Sequence, residues 1–178
     1  MKEVKIFARA GQGAITTAAI LGEALFCENK YSYAFPHFGA ARMGAPMNAF
    51  IRFDDKPIRL RSKVYEADYI IVIDPTLIES QKIFSGLRNE AKAIIAVRPE
   101  TASPQSKGVE VHTLLAEQIA TEIIGRPFAN TVLLGAFAKV TGALSLDSVL
   151  KAVGKRFESK PAVVQKNLDA VKKGYESV

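Results

Sequence analysis

A glycine turn near the N-terminus is the first feature with the chemistry of a binding site. The apolar stretch from Val4 to Ala8 runs into Arg9-Ala10-Gly11-Gln12-Gly13, and helical spacing follows at once. A helix N-terminus presents unpaired backbone N–H groups and a positive dipole end, so it can hold a phosphate or a carboxylate. Gly11, Gln12 and Gly13 are therefore candidate anion-binding residues, although such turns also use glycine for geometry alone.

The second candidate is the stretch from Tyr33 to Ser62, here called the aromatic–arginine segment. A flexible linker would hold few aromatic residues. Aromatic and arginine side chains are instead enriched at binding surfaces. The stretch contains five aromatic residues besides His37, and four arginines: Tyr33, Phe35, Phe38, Phe50 and Phe53, with Arg42, Arg52, Arg59 and Arg61. This composition predicts the part of the chain that contacts a ligand or a partner.

Several familiar active sites are disfavoured by the residues present. Thr16 occupies the third glycine position of a dinucleotide-binding turn, and no P-loop sequence occurs, so neither an NAD enzyme nor an ATPase is expected. His37 and His112 lack the spacing to carboxylates that marks a metal site. The single cysteine, Cys27, cannot form an internal disulfide or hold an iron–sulfur cluster, and its helical pattern predicts a small buried hydrophobic residue.

Length and composition predict one soluble domain. The 178 residues fit a single core, so residues 1–178 are predicted to form one domain. No apolar run approaches the ~20 residues of a membrane crossing. The N-terminus enters a strand pattern without a leader sequence, which predicts a cytoplasmic protein.

The net charge of +6 raises the question of nucleic-acid binding, but no nucleic-acid-binding motif appears. An anionic small molecule or an acidic partner fits the first basic group, residues 42–63, better than DNA does. The second basic group follows the C-terminal helical pattern and is predicted to be a solvated helix face. Its members are Lys151, Lys155, Arg156, Lys160, Lys166, Lys172 and Lys173.

The elements that must position these residues follow from hydrophobic periodicity. Strands are predicted at 4–8, 31–35, 47–53, 69–73, 93–97 and 109–112, and a short helix at 77–84. A turn at 54–57 is expected to form a β-hairpin with residues 58–60. From Leu114 the pattern is helical, in four pieces. The predicted fold is therefore α/β, with a mostly parallel central sheet, flanking helices, one β-hairpin and a helical C-terminal third.

Taken together, these motifs resemble the gamma subunit, or gamma domain, of the 2-oxoacid:ferredoxin oxidoreductases, whose best-known member oxidises pyruvate to acetyl-CoA. The resemblance covers nearly the whole chain. It rests on Arg9-Ala-Gly-Gln-Gly13, Ala34-Phe-Pro-His-Phe-Gly39 with Arg42 and Gly44-Ala-Pro46, Pro57-Ile-Arg-Leu-Arg-Ser62, Asp68 to Thr76, Asn130 to Ala136, and Gly174-Tyr-Glu176. The family often has glycine where Ala8 stands, so a less open turn is expected here.

The resemblance implies a non-catalytic subunit of a larger complex. Thiamine diphosphate, Mg²⁺ and [4Fe-4S] clusters are then expected on alpha, beta and delta-type partner subunits, and no complete active site in this chain. It also implies an association with coenzyme A. On this hypothesis Gly11, Gln12, Gly13, Arg42, Arg59 and Arg61 face coenzyme A or the subunit interface leading to it.

Two other hypotheses stay open at this point. The chain could be purely an assembly subunit, with the aromatic–arginine segment as a protein contact and no ligand. It could also be a stand-alone nucleotide-binding module, which predicts a stable monomer. On none of these hypotheses does the chain catalyse a reaction alone, and neither nucleic acid nor a membrane is an expected partner.

Overall fold

One six-stranded sheet carries the fold. The computed structural model describes residues 1–38, 42–100 and 103–178, and the backbone but not the side chain of Phe38. Gly39 of the family-like motif lies outside the described residues. The strands are β1 (Lys2–Arg9), β2 (Tyr31–Phe38), β3 (Pro46–Asp54), β4 (Ala67–Val72), β5 (Leu87–Ala96) and β6 (Val109–Leu114). The helices are α1 (Ala14–Cys27), α2 (Leu77–Ser80), α3 (Ala116–Ile124), α4 (Asn130–Thr141), α5 (Leu146–Phe157) and α6 (Pro161–Glu176).

The strand order β2-β3-β1-β4-β5-β6 explains the apolar sequence of the central strands. β1, β4, β5 and β6 are parallel neighbours, whereas β3 pairs antiparallel with both β1 and β2. The predicted fold class, a mostly parallel α/β sheet with a helical C-terminal third, is confirmed. β4 is apolar because it lies inside the sheet and is buried on both faces.

The hairpin lies elsewhere than predicted. Residues 57–61 form no strand, so the expected hairpin across 54–57 is wrong. The antiparallel pair consists of β2 and β3, in register from Tyr31 opposite Asp54 to Phe38 opposite Met47. Residues 57–64 instead pass along the sheet and are fixed to it by Arg52, whose guanidinium donates to the backbone oxygens of Ser62 and Lys63.

The two faces of the sheet are covered unequally. The larger core lies on one face, where α1, α3, α4, α5 and α6 pack against β1, β3, β4 and β5. The smaller core on the other face is closed mainly by Val64, Leu77 and Ile83, from loops and the four-residue α2. In the described parts of the chain, no helix combines the length and apolarity needed to cross a membrane.

Cys27 corrects a prediction from the helical pattern. It is exposed at the last residue of α1, so the predicted buried position is wrong. α1 buries the side containing Ala18, Leu21 and Leu25, and Cys27 lies outside that side together with Phe26, which is 71% exposed. A short apolar run at a helix end does not show which side of the helix is buried, because the elements packed against the helix decide that.

Glu28 is expected to make the stability of the protein depend on pH. Two serines at the start of α5 bind its carboxylate. The backbone N–H of Ser145 and the hydroxyl of Ser148 both donate to Oε1, at 2.8 and 2.7 Å. These bonds lower the pKa of Glu28 from 4.5 to about 2. Because the folded pKa lies below the unfolded one, the stabilisation is complete above about pH 4.5 and is lost as the pH falls towards 2.

The Glu28→Gln variant should therefore lose about 1 kcal/mol at pH 7, a modest value because the carboxylate is only partly buried and water screens it. The loss should shrink below pH 4.5 and disappear near pH 2. Urea unfolding at several pH values measures it, with Glu66→Gln as the control, since Glu66 is exposed. A pH-independent difference would contradict the role given to ionised Glu28.

Candidate functional site

The glycine turn between β1 and α1 leaves a helix N-terminus without a side-chain cap. Gly11 and Gly13 have positive φ angles, 99° and 83°, which side chains other than glycine rarely adopt. Gly13 is the N-cap residue of α1, and no side chain caps the helix there. The first backbone N–H groups of α1 are thus available to an anion.

Asn130, the first residue of α4, holds the turn from one side. Its Nδ2 donates to the backbone oxygen of Gln12 at 2.8 Å and to Thr17 Oγ1 at 2.9 Å. A Cβ atom on Gly13 would lie 2.6 Å from this nitrogen. Glycine at position 13 is therefore required twice, by its backbone angle and by the close approach of Asn130, and the N-termini of α1 and α4 lie side by side.

Asp74, after the central strand β4, holds the turn from the other side. Gln12 Nε2 donates to Asp74 Oδ2 at 2.7 Å, and Gln12 Oε1 accepts from the backbone N–H of Arg9 at 2.7 Å. Burial of Asp74 opposes its ionisation, but the hydrogen bonds from Thr76 and Gln12 outweigh burial and lower its pKa. Asp74 therefore acts as an ionised anchor for the turn.

A cleft of about 600 Å³ opens in front of this turn. Gly11, Gln12 and Gly13 line it together with the N-terminal residues of α4 and α6. Three helix N-termini thus face one space, and their dipoles make it attractive to anions. Three exposed cations add to this charge, and none of them forms an ion pair within the described residues: Arg126, Lys160 and Lys166.

The rest of the cleft wall is apolar. Large apolar side chains line it: Ile20, Ile124, Phe128, Phe157 and Val163. Phe128 is 49% exposed and presents apolar surface to the cleft. The cleft can therefore bind a molecule with an anionic part and an apolar part. Among the described residues, no group of three or more histidine, cysteine, aspartate or glutamate side chains could hold a metal ion.

The structure separates the six predicted site residues into two groups. Gly11, Gln12 and Gly13 line the cleft, whereas Arg42, Arg59 and Arg61 do not. Arg42 lies on a loop tied to the turn, through hydrogen bonds from Gly44 N to Ala10 O and from Ala10 N to Ala45 O. Arg59 and Arg61 lie on the exposed segment after β3, where the Arg61 guanidinium stacks on the Tyr33 ring at 4.1 Å.

Sequence reasoning missed the cations of the cleft. The sequence pattern places Lys160 and Lys166 on a solvated helix face, a prediction that fits Lys151 and Lys172, which are exposed outside the cleft. A signal was present: Arg126 and Lys160 both stand directly before a proline, just ahead of the N-termini of α4 and α6.

Ala8 has no effect on the opening of the turn. The resemblance suggested that alanine here makes the turn less open, because the family often has glycine. The Ala8 side chain is fully buried in the helix-side core and does not line the cleft. The added methyl group therefore does not narrow the space available to a ligand.

Comparison with known proteins decides the family. Residues 3–177 match the family described as pyruvate ferredoxin/flavodoxin oxidoreductase. The chain belongs to this family. Pyruvate synthase subunit PorC of Methanothermobacter thermautotrophicus is 44% identical over 178 residues, which cover 100% of this chain and 96% of the relative. The common gamma subunit of the pyruvate/ketoisovalerate oxidoreductases of Pyrococcus furiosus is 40% identical, with 99% and 96% coverage.

Solved structures of the pyruvate ferredoxin/flavodoxin oxidoreductase family have the same fold. The crystal structure of pyruvate oxidoreductase subunit PORC from Thermotoga maritima is 33% identical, with a TM-score of 0.83 over 99% of this chain and 96% of the other. The gamma subunit of a keto/oxoacid ferredoxin oxidoreductase from Geobacter sulfurreducens, at 21% identity and a TM-score of 0.82, shares the fold over 99% and 98% of the two chains. The chain is thus a gamma-type subunit of a pyruvate/2-oxoacid ferredoxin oxidoreductase complex.

Proposed function

We propose that the chain helps to assemble a cytoplasmic 2-oxoacid:ferredoxin oxidoreductase and binds coenzyme A in the cleft before the glycine turn. The oxidative decarboxylation of the 2-oxoacid to its acyl-CoA takes place on the partner subunits of alpha, beta and delta type. Those subunits carry thiamine diphosphate with Mg²⁺ and the [4Fe-4S] clusters. This chain supplies no complete active site.

The observation that carries the coenzyme A assignment is the mixed character of the cleft. Coenzyme A combines phosphate groups with an adenine ring and a long, less polar arm. Helix N-termini and Arg126, Lys160 and Lys166 suit the phosphates, while Phe128 and Phe157 suit the ring or the arm. A structural neighbour, 2-oxoglutarate:ferredoxin oxidoreductase from Magnetococcus marinus, was solved with 2-oxoglutarate, coenzyme A and succinyl-CoA bound. It is 18% identical to this chain, and the similar region covers 99% of this chain and 31% of the neighbour.

The choice of 2-oxoacid belongs to the other subunits on this proposal. The Pyrococcus furiosus relative is a common subunit of pyruvate and ketoisovalerate oxidoreductases, so one gamma subunit there serves two substrates. The Methanothermobacter relative belongs to a pyruvate synthase. Pyruvate is accordingly the first substrate to assay.

Assembly without ligand contact is the second candidate function, and the position of Arg59 and Arg61 favours it. Both lie outside the cleft on an exposed segment, as a protein contact would require. The third hypothesis, a stand-alone nucleotide-binding module, loses support because the full-length relatives are subunits of oxidoreductases.

The Arg126→Ala and Lys166→Ala variants should raise the Michaelis constant for coenzyme A at least about tenfold in the assembled enzyme, since each removes a charge-assisted contact to phosphate. The Michaelis constant for the 2-oxoacid should stay within twofold. Lys172→Ala is the matched control, because Lys172 lies on α6 outside the cleft. Arg42→Ala and Arg59→Ala test the other predicted anion contacts in the same assay.

Size-exclusion chromatography of each variant separates the two candidate functions. The ligand assignment is wrong if Arg126→Ala and Lys166→Ala both form intact complexes and leave the Michaelis constant for coenzyme A unchanged. Loss of assembly in Arg59→Ala without a coenzyme A defect would favour the assembly function for that arginine.

A further inference from the structure

The sheet face opposite the helices carries an ordered array of aromatic side chains at its β2 edge. Ser32 Oγ on β2 donates to the backbone oxygen of Gly22 in α1, so Ser32 faces the helices and its neighbours in the strand face away. Tyr33 and Phe35 stack with ring centroids 5.0 Å apart, and His37 contacts Phe50 at 5.9 Å.

Strand register extends this array across three strands. Phe35 on β2 lies opposite Phe50 on β3, and Phe50 lies opposite Lys5 on β1. Phe35, Phe50 and Lys5 therefore lie on the same face of the sheet, because cross-strand neighbours point to the same side. We call it the aromatic face: Tyr33, Phe35, His37, Phe50 and Lys5. Phe50 is fully buried, so the accessible part of the face consists of His37, which is exposed, and of Tyr33, Phe35 and Lys5, which are half-buried.

The charges around the aromatic face are unbalanced. The nearby carboxylates Glu3 and Asp68 are already bound: Glu3 to Arg52 and Arg88, and Asp68 to Lys2 and Arg88.

In contrast, Lys5, Arg59 and Lys63 form no ion pair within the described residues. The Arg61 guanidinium donates to the backbone oxygens of Ile58 and Leu60 and stacks on Tyr33. The border of the face therefore carries these cations, and the carboxylates of Glu3 and Asp68 are already bound by others.

Lys5 shows that the face lacks a counter-charge. Its ammonium lies 4.6 Å from the centre of the Phe7 ring and is half-buried. Burial, followed by the nearby charge of Lys63, lowers the pKa of Lys5. A carboxylate brought between these two lysines would favour the charged form of Lys5 and offset its repulsion from Lys63.

We propose that the aromatic face, with Arg59, Arg61 and Lys63 along its border, docks an acidic segment of a partner subunit. The inference rests on membership of the chain in an oxidoreductase complex and assigns the partner contact to the side of the sheet away from the coenzyme A cleft. Charge complementarity selects the occupant, since a second copy of this chain would bring the same cations against each other.

The test measures association of the purified chain with the complex that lacks it, at 50 and 300 mM salt. Lys5→Glu and Arg61→Glu should each weaken association at least tenfold at low salt, and wild-type affinity should fall as salt rises. Lys172→Glu, an equal charge change on α6, should stay within twofold. Arg61 is exposed, so its variant keeps the test valid if Lys5→Glu fails to fold.

The Michaelis constant for coenzyme A distinguishes failure of this inference from failure of the ligand assignment. Complexes assembled with a saturating concentration of the Arg61→Glu chain should have the wild-type Michaelis constant for coenzyme A. The inference is overturned if Arg61→Glu associates with the complex as tightly as Lys172→Glu does. It is also overturned if the affinity of the wild-type chain is the same at 50 and 300 mM salt. Self-association of the isolated chain that Arg61→Glu abolishes overturns it too, because the occupant would then be a second copy.

Discussion

Replacing Gly135 by alanine should lower the free energy of unfolding by about 3 kcal/mol, because the added methyl group has no space at the crossing of α4 and α6. A Cβ atom on Gly135 would overlap the backbone oxygen of Val171, and one on Gly174 would overlap the backbone oxygen of Val132. The obstacle in each case is backbone, which cannot rotate away. Gly174→Ala should therefore have a similar effect.

Thermal or urea unfolding measures this loss, and about 3 kcal/mol corresponds to roughly 6–12 °C in Tm for a chain of this size. Gly154→Ala in α5 is the matched control. A Cβ atom there meets nothing within 4 Å, so alanine should stabilise the helix by about 0.5–1 kcal/mol. Equal effects of the two substitutions would show that helix propensity, and not the close crossing, decides the outcome.

Replacing Arg52 by methionine should lower the free energy of unfolding by about 3 kcal/mol or more, since the buried Glu3 carboxylate loses one of its two arginine partners and two backbone oxygens lose their donor. Arg52 is 1% exposed. Its Nε donates to Glu3 Oε1 at 2.6 Å, and its other nitrogens donate to the backbone oxygens of Ser62 and Lys63 at 2.6 and 3.2 Å. Methionine keeps much of the volume of the arginine side chain, so the loss of stability measures the polar contacts of Arg52.

Arg88→Met is the control for this prediction. Arg88 binds the same Glu3 and also Asp68, but its side chain is 37% exposed and water can replace it, so about 1 kcal/mol is expected. Combining Arg52→Met with Glu3→Met should recover part of the loss, because the buried carboxylate that had lost its Arg52 partner is then gone. The prediction fails if Arg52→Met costs no more than Arg88→Met in urea unfolding.

The four arginines of the aromatic–arginine segment show why sequence could not complete the site. Arg42, Arg52, Arg59 and Arg61 are alike in composition and neighbourhood, yet Arg52 is a buried structural residue and the other three are exposed. The difference arises from Glu3, 49 residues earlier in the chain, which lies beside Arg52 because β1 pairs with β3. Such a partner cannot be recognised from local spacing.

The glycines also divide into those that local sequence predicts and those whose role depends on the tertiary structure. Gly11 and Gly13 were predictable as a turn, because a strand pattern, two close glycines and a helix pattern are local signals. Gly135 and Gly174 were recognised only as parts of family-like motifs. Their function, the close contact of two helices, depends on residues about 40 positions apart, as the contacts of Gly135 with Val171 and of Gly174 with Val132 show.

The sequence by itself determined the α/β class, the order of elements, the glycine turn and the resemblance to the gamma subunits, because these follow from local periodicity and ordered motifs. Only the tertiary structure decided that Arg126, Lys160 and Lys166 share one cleft with the turn, and that Arg59 and Arg61 do not. The reason is physical: a cleft forms where helix ends from distant parts of the chain converge, and that convergence is set by packing on the sheet.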